Sequence, residues 1–106
     1  MADLKNIVRT EVMKYAGSGR GINLRLFPIL DDERFIYSVT AIDFPRRKES
    51  ASVVVLARIV EPYVVIEEDA TDKPLIEALV QQGVPREKII LAYQGEAVPD
   101  PVPSLV

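Results

Sequence analysis

The 106 residues amount to a single domain, 48% hydrophobic, with no cysteine, no histidine and a formal net charge of −3. That composition excludes disulfides, the usual zinc, iron and copper ligands, and any Cys–His or Ser–His–Asp catalytic arrangement within one chain. Charge is uneven: residues 1–60 hold ten Lys/Arg against seven Asp/Glu, and residues 61–106 hold three against nine, which argues against an autonomous duplex-binding surface.

Mean hydropathy is +0.11, yet no apolar run approaches the roughly 20 residues that cross a bilayer. The start, Met-Ala-Asp-Leu-Lys-Asn, has no basic region followed by an apolar core. A cytoplasmic protein without a membrane segment is expected.

In chain order, Leu4, Ile7, Val8, Val12 and Tyr15 fall on one helical face, with Lys5, Asn6, Arg9 and Lys14 left for water. Gly17-Ser18-Gly19-Arg20-Gly21 ends that helix. A glycine-rich phosphate loop runs from strand into helix, whereas this one runs from helix into strand, so it reads as a connector. Residues 22–68 read as an antiparallel meander of four strands. The first spans Ile22 to Leu30 and turns at Asp31-Asp32-Glu33. The second alternates Phe35, Tyr37, Val39 and Ala41 with Ile36, Ser38, Thr40 and Ile42. A polar turn covers Pro45 to Ser50. The third, Ala51 to Val60, is apolar on both sides, with Val53 and Val55 facing one way and Val54 and Leu56 the other. Glu61-Pro62 is so short a link that the fourth strand, beginning at Tyr63, must pair with the third.

The stretch Tyr63–Tyr93 carries the clearest local grammar. Tyr63-Val64-Val65-Ile66 suits a buried strand. Asp69, Thr71 and Asp72 offer side-chain oxygens to a coming helix, and Pro74 fits its first turn. Leu75, Ile76, Leu79 and Val80 form its apolar stripe, Gly83 is the left-handed stop, and Pro85 prevents continuation. Ile89–Tyr93 is too short for periodicity to separate strand from helix. The tail from Ala97 alternates proline and reads as extended. The expected architecture is α+β: an N-terminal helix, a four-stranded antiparallel meander, and a C-terminal helix plus a short apolar segment, in a two-layer sandwich over residues 1–96. Residues 97–106 form a proline-rich tail.

Two helices can cover one face of such a sheet, yet apolar residues point to both. The uncovered face is therefore a candidate protein interface, with Phe27, Ile42, Val54 and Leu56 as its residues and a homodimer or an obligate partner as its occupant. The alternative is that residues 89–93 or the tail fold across it. Arg46, Arg47 and Lys48 form the one basic run and are candidate phosphate contacts, or a solubilising hairpin tip. The carboxylates Asp31-Asp32-Glu33 and Glu67-Glu68-Asp69 with Asp72 could hold Mg²⁺ or Ca²⁺. A turn and a helix cap account for them more simply. The single Asp-X-Lys, Asp3-Leu4-Lys5, sits at the terminus. No residue reads as catalytic, and no cofactor is expected.

The Tyr63–Tyr93 stretch also resembles the XisI-type excision-controlling factors of cyanobacteria. The matching features are Val64-Val65-Ile66-Glu67-Glu68-Asp69-Ala70-Thr71, the helix from Leu75 to Gln82, Gly83-Val84-Pro85, Arg86-Glu87-Lys88 and Ile89-Ile90-Leu91-Ala92-Tyr93. Upstream, Ile29 to Tyr37 and the helix ending in Tyr15-Ala16 fit as well, so the likeness covers about residues 4–94. The chain departs from the pattern at Ala41-Ile42-Asp43, where the family has Gly-Trp, and at Gln94, where it has His. The resemblance implies an accessory, non-enzymatic role beside a site-specific recombinase in excising a DNA element during heterocyst development. It also implies an XisH-type partner protein and an indirect association with DNA through the complex, the alternative being an accessory factor that contacts DNA directly through Arg46, Arg47 and Lys48.

Overall fold

A computed structural model describes residues 3–17, 20–21 (backbone only) and 23–99. Two helices pack on one face of a mixed sheet. Helix α1 spans Leu4–Lys14, strands β1 to β5 span Arg20–Gly21, Leu24–Asp31, Ile36–Asp43, Ser52–Val60 and Tyr63–Asp69, helix α2 spans Leu75–Gln81, and β6 spans Ile89–Leu91. The strands lie in sequence order across the sheet. Neighbours are antiparallel from β1 to β5, and β6 runs parallel to β5.

The α+β class agrees with expectation, and the strand inventory differs in two places. Ile89–Tyr93 is neither a helix nor a flap over the open face. Its first three residues extend the sheet in plane, and Ala92–Gln94 form a 3₁₀ turn behind them. Strand, helix and parallel strand are what a crossover connection permits, because a tight hairpin can join only antiparallel neighbours. Glu96 ties this end down, accepting from the Leu91 N–H at 2.8 Å and from Arg86 at 3.2 Å. At the other end, Arg20–Gly21 of the supposed connector pairs with Leu24–Arg25 as a two-residue strand. Ile22, the expected start of the first strand, lies outside the described residues, as does the end of the tail.

The first hairpin turns over Asp32–Phe35, later than expected. Phe35 has φ 57° and belongs to the turn rather than the strand. Asp31 holds the turn by accepting the N–H groups of Glu33 and Arg34.

The core lies between helices and sheet. Val8 and Val12 of α1 and Leu75 and Leu79 of α2 meet Tyr37, Val39, Val55, Ala57, Val64 and Ile66, all fully buried. Register explains the set: Tyr37, Ala57, Ile66 and Leu91 form one row across four strands, and Val39 and Val55 form the next. Arg9 of α1 reaches Asp32 at 3.4 Å, and the Tyr37 hydroxyl donates to the same carboxylate at 3.0 Å, joining helix to hairpin.

Helix α2 stops as its sequence directs. Gly83 has φ 98°, its N–H bonds the Val80 carbonyl, and the Val84 N–H bonds the Leu79 carbonyl. That bond pair is the Schellman arrangement, and buried Val84 supplies its apolar contact. The helix start differs in detail, with Pro74 just before the first helical residue rather than inside the turn. Asp69, the last residue of β5, does the capping: Oδ2 accepts the Leu75 N–H at 2.7 Å, and Oδ1 accepts the N–H and hydroxyl of Thr71.

Candidate functional site: the open sheet face

Because side chains alternate along a strand, the ladder also fixes the face turned away from the helices. Phe27, Thr40 and Val53 stand in one row across β2, β3 and β4. Ile29, Ser38 and Leu56 stand in the next, and Arg25 and Ile42 pair beyond Phe27. Three large apolar side chains there are open to solvent: Phe27 at 47%, Ile29 at 53% and Val53 at 40% exposure.

Among the expected interface residues, Phe27, Ile42 and Leu56 share this face, and Val54 does not. The register shifts between Val39 and Thr40, so Val55 pairs with Val39 while Thr40 pairs with Val53. Val54 is the extra residue of a β-bulge, and it packs against the core. Val53 takes the outward position expected for Val54. Nothing in the residue types announces that shift.

The far half of the same face is closed. Val65 stands in register between Arg58 and Ile90, and it is fully buried although both helices lie on the other side. Arg58 Nε meets Glu67 Oε2 at 2.7 Å, and the Lys88 ammonium lies 5.4 Å from the Tyr63 ring. The face therefore divides into a charged, self-covered half on β5 and β6 and an open apolar half on β2, β3 and β4. Beyond Arg25, the outer edge of β2 pairs with no other strand among the described residues. Pro28, in that edge, has no N–H to offer a further strand.

The two carboxylate groups are occupied with structure. Asp31 and Asp69 hold their turns as described, Glu67 pairs with Arg58, and Glu68 accepts its neighbour's N–H. Among the described residues no group of three or more carboxylates converges as a metal site. Asp31 is held below the usual carboxylate range, chiefly by the Arg34 N–H and then by its guanidinium. Glu96 is lowered by the Leu91 N–H and by Arg86.

Arg46, Arg47 and Lys48 all lie exposed in the loop between β3 and β4. Two residues that sequence reading passed over join them. The exposed ring of Phe44 lies 3.7 Å from the Arg25 guanidinium carbon, although the two are far apart in the chain. A groove between α1 and α2 contains another missed residue, Glu11, buried at 6% exposure and paired with Lys14 at 2.8 Å. The hydroxyl of Tyr15, also in that groove, donates to the Lys73 carbonyl. No helix among the described residues is long and apolar enough to cross a membrane.

Residues 1–100 match the family described as XisI protein. A crystal structure of a XisI-like protein from Anabaena variabilis ATCC 29413 superposes with a TM-score of 0.70 at 27% identity, covering 82% of this chain and 81% of that one. The fdxN element excision controlling factor XisI from the same organism superposes with a TM-score of 0.71 at 20% identity, covering 84% and 88%. The latter likeness is one of fold. No curated protein matches the chain.

Proposed function

The chain belongs to the XisI protein family, and on that premise we propose that it is a non-enzymatic accessory factor controlling excision of a DNA element of the fdxN kind. It acts by holding another protein chain on the open half of its sheet. The observation that carries this reading is the alignment of exposed Phe27, Ile29 and Val53 on three neighbouring strands of a face that neither helix covers. Exposed apolar side chains scattered singly are ordinary, whereas a contiguous group rimmed by charge marks a surface that binds. The rim here is Arg25 at one end and the Arg58–Glu67 pair at the other. The occupant is an XisH-type partner or a second copy of the chain.

Co-expression with an XisH-type protein, followed by sizing with light scattering, tests the proposal. A stable mixed complex, or a dimer of the chain alone, is expected, and Phe27→Asp should dissociate it. A monomer in both preparations, or an assembly indifferent to Phe27→Asp, would remove this face from consideration.

A further inference from the structure

Beyond that protein interface, we propose a second surface: the corner made by β2 and the β3–β4 loop binds single-stranded nucleic acid, with Phe44 stacking on a base and Arg25, Arg46, Arg47 and Lys48 on the phosphates. It stands on observations separate from the apolar face.

The first observation is how cations are distributed. Among the described residues, Arg9, Arg34, Arg58 and Arg86 each meet a carboxylate. Arg25, Arg46 and Arg47 meet none within ion-pair distance, and they share one corner with Lys48, which also meets none. Two carboxylates, Asp43 and Glu49, line the depression at this corner. Asp43 is turned inward, its Oδ2 accepting the N–H groups of Lys48 at 3.1 Å and Glu49 at 2.9 Å. The acidic group thus shapes the loop that carries the basic ones.

The second observation is the aromatic ring among them. Phe44 is 45% exposed, and its N–H bonds the Asn23 carbonyl at 2.9 Å, continuing the β2–β3 ladder past its last pair. The Arg25 guanidinium lies over one side of the ring at 3.7 Å. That contact holds the guanidinium plane while leaving N–H groups at its edge for an anion. Beside the ring is a depression of about 460 Å³ lined by Asn23, Asp43, Phe44, Arg46 and Lys48 among others.

The ligand class follows from the combination. An acidic peptide would use the charges and leave the ring bare. A duplex keeps its base faces stacked inside. An unpaired strand offers phosphates and free base faces together, and aromatic stacking with basic contacts is how sequence-tolerant single-strand binders work. A net charge of −3 makes the contact weak and local, suited to a factor brought to DNA by its partner.

Fluorescence anisotropy of the full chain with labelled oligodeoxythymidine of about 20 nucleotides tests this. Four phosphate contacts on a single strand predict that affinity falls about 50-fold between roughly 50 and 200 mM salt. Replacing Arg46, Arg47 and Lys48 together by Gln should lower the slope of log affinity against log salt by about 2. Phe44→Leu, which keeps bulk and removes the aromatic face, should weaken binding about tenfold with the slope unchanged. Oligouridine bound equally would place recognition on shared phosphate and base-face chemistry, in support of the proposal. No binding at low salt, or wild-type binding by the triple Gln variant, overturns it. So does an unchanged affinity for Phe44→Leu, which would leave a plain anion surface suited to an acidic peptide. Circular dichroism melts of each variant separate lost contacts from lost fold, and Ile29→Asp, a row further from Arg25 on the apolar face, should leave this binding intact.

Discussion

Two residues show how a single backbone angle or a single hydroxyl can be read in stability. Gly83 sits at φ 98°, and a Cβ built there meets nothing within 4 Å. The cost of an alanine is then backbone conformation alone. Gly83→Ala should lower stability by about 1 kcal/mol in chemical denaturation, with an unchanged denaturant slope. Tyr37 is the converse, a residue whose side chain matters. Burial first, and then its bond to the Asp32 carboxylate, push the phenol up to about 12 from 10.0. A pKa raised on folding means that the folded state holds the proton more tightly. The associated stability is therefore full below about pH 10 and is lost as pH climbs toward 12. Tyr37→Phe should cost about 1 kcal/mol near neutrality, since half-exposed Asp32 regains water. It should also flatten the alkaline fall in melting temperature; an equally steep fall in the variant would assign the titration to another group.

At the scale of elements, Asp69 joins β5 to α2. Its two oxygens serve Thr71 and Leu75, and the Thr71 hydroxyl, its proton directed to Asp69, lies beside the Lys73 carbonyl that accepts from Tyr15 at the C-cap of α1. Asp69→Ala strands two backbone N–H groups at the start of a helix only seven residues long. A loss of about 2 kcal/mol is expected. Faster amide exchange should appear at Leu75, and if exchange there is unchanged, the cap is dispensable. This knot was legible in the sequence because Asp69 and Thr71 carry their capping chemistry in their side chains, and the stop at the other end because Gly83 has none to resist a left-handed backbone. The β-bulge was not. It changes no residue type and arises from how Val39 and Thr40 meet β4, so alternation read along one strand slipped out of phase at Val54. Ile89-Ile90-Leu91 was illegible for another reason: three apolar residues carry no direction, and only the crossover through α2 sets them parallel. On the open face, Phe27, Ile42 and Leu56 were legible from strand period. Arg25 and Phe44 meet only through the pairing of Leu24 with Asp43, which no local pattern contains.

For the molecule as a whole, both helices on one side of the sheet leave the other side to its own side chains. The β5–β6 half manages this with the Arg58–Glu67 pair, and the β2–β4 half does not. A standard interface buries roughly 800 Å² per partner, more than Phe27, Ile29 and Val53 supply together. An assembly of that size on this face would therefore extend over Ile42 and Leu56 and reach the edge of β2 that pairs with no other strand among the described residues beyond Arg25. The bulge makes this testable with neighbouring substitutions in one strand. Val53→Asp places a charge on the open face and should abolish assembly in light scattering while the isolated chain melts within a few degrees of wild type. Val54→Asp directs the same charge at the core, where an unpaired carboxylate is costly, and should lower the melting temperature sharply whatever the partner. Equal melting losses for both would mean that β4 is read in the wrong phase. Equal assembly losses without melting losses would mean that the interface reaches across the bulge.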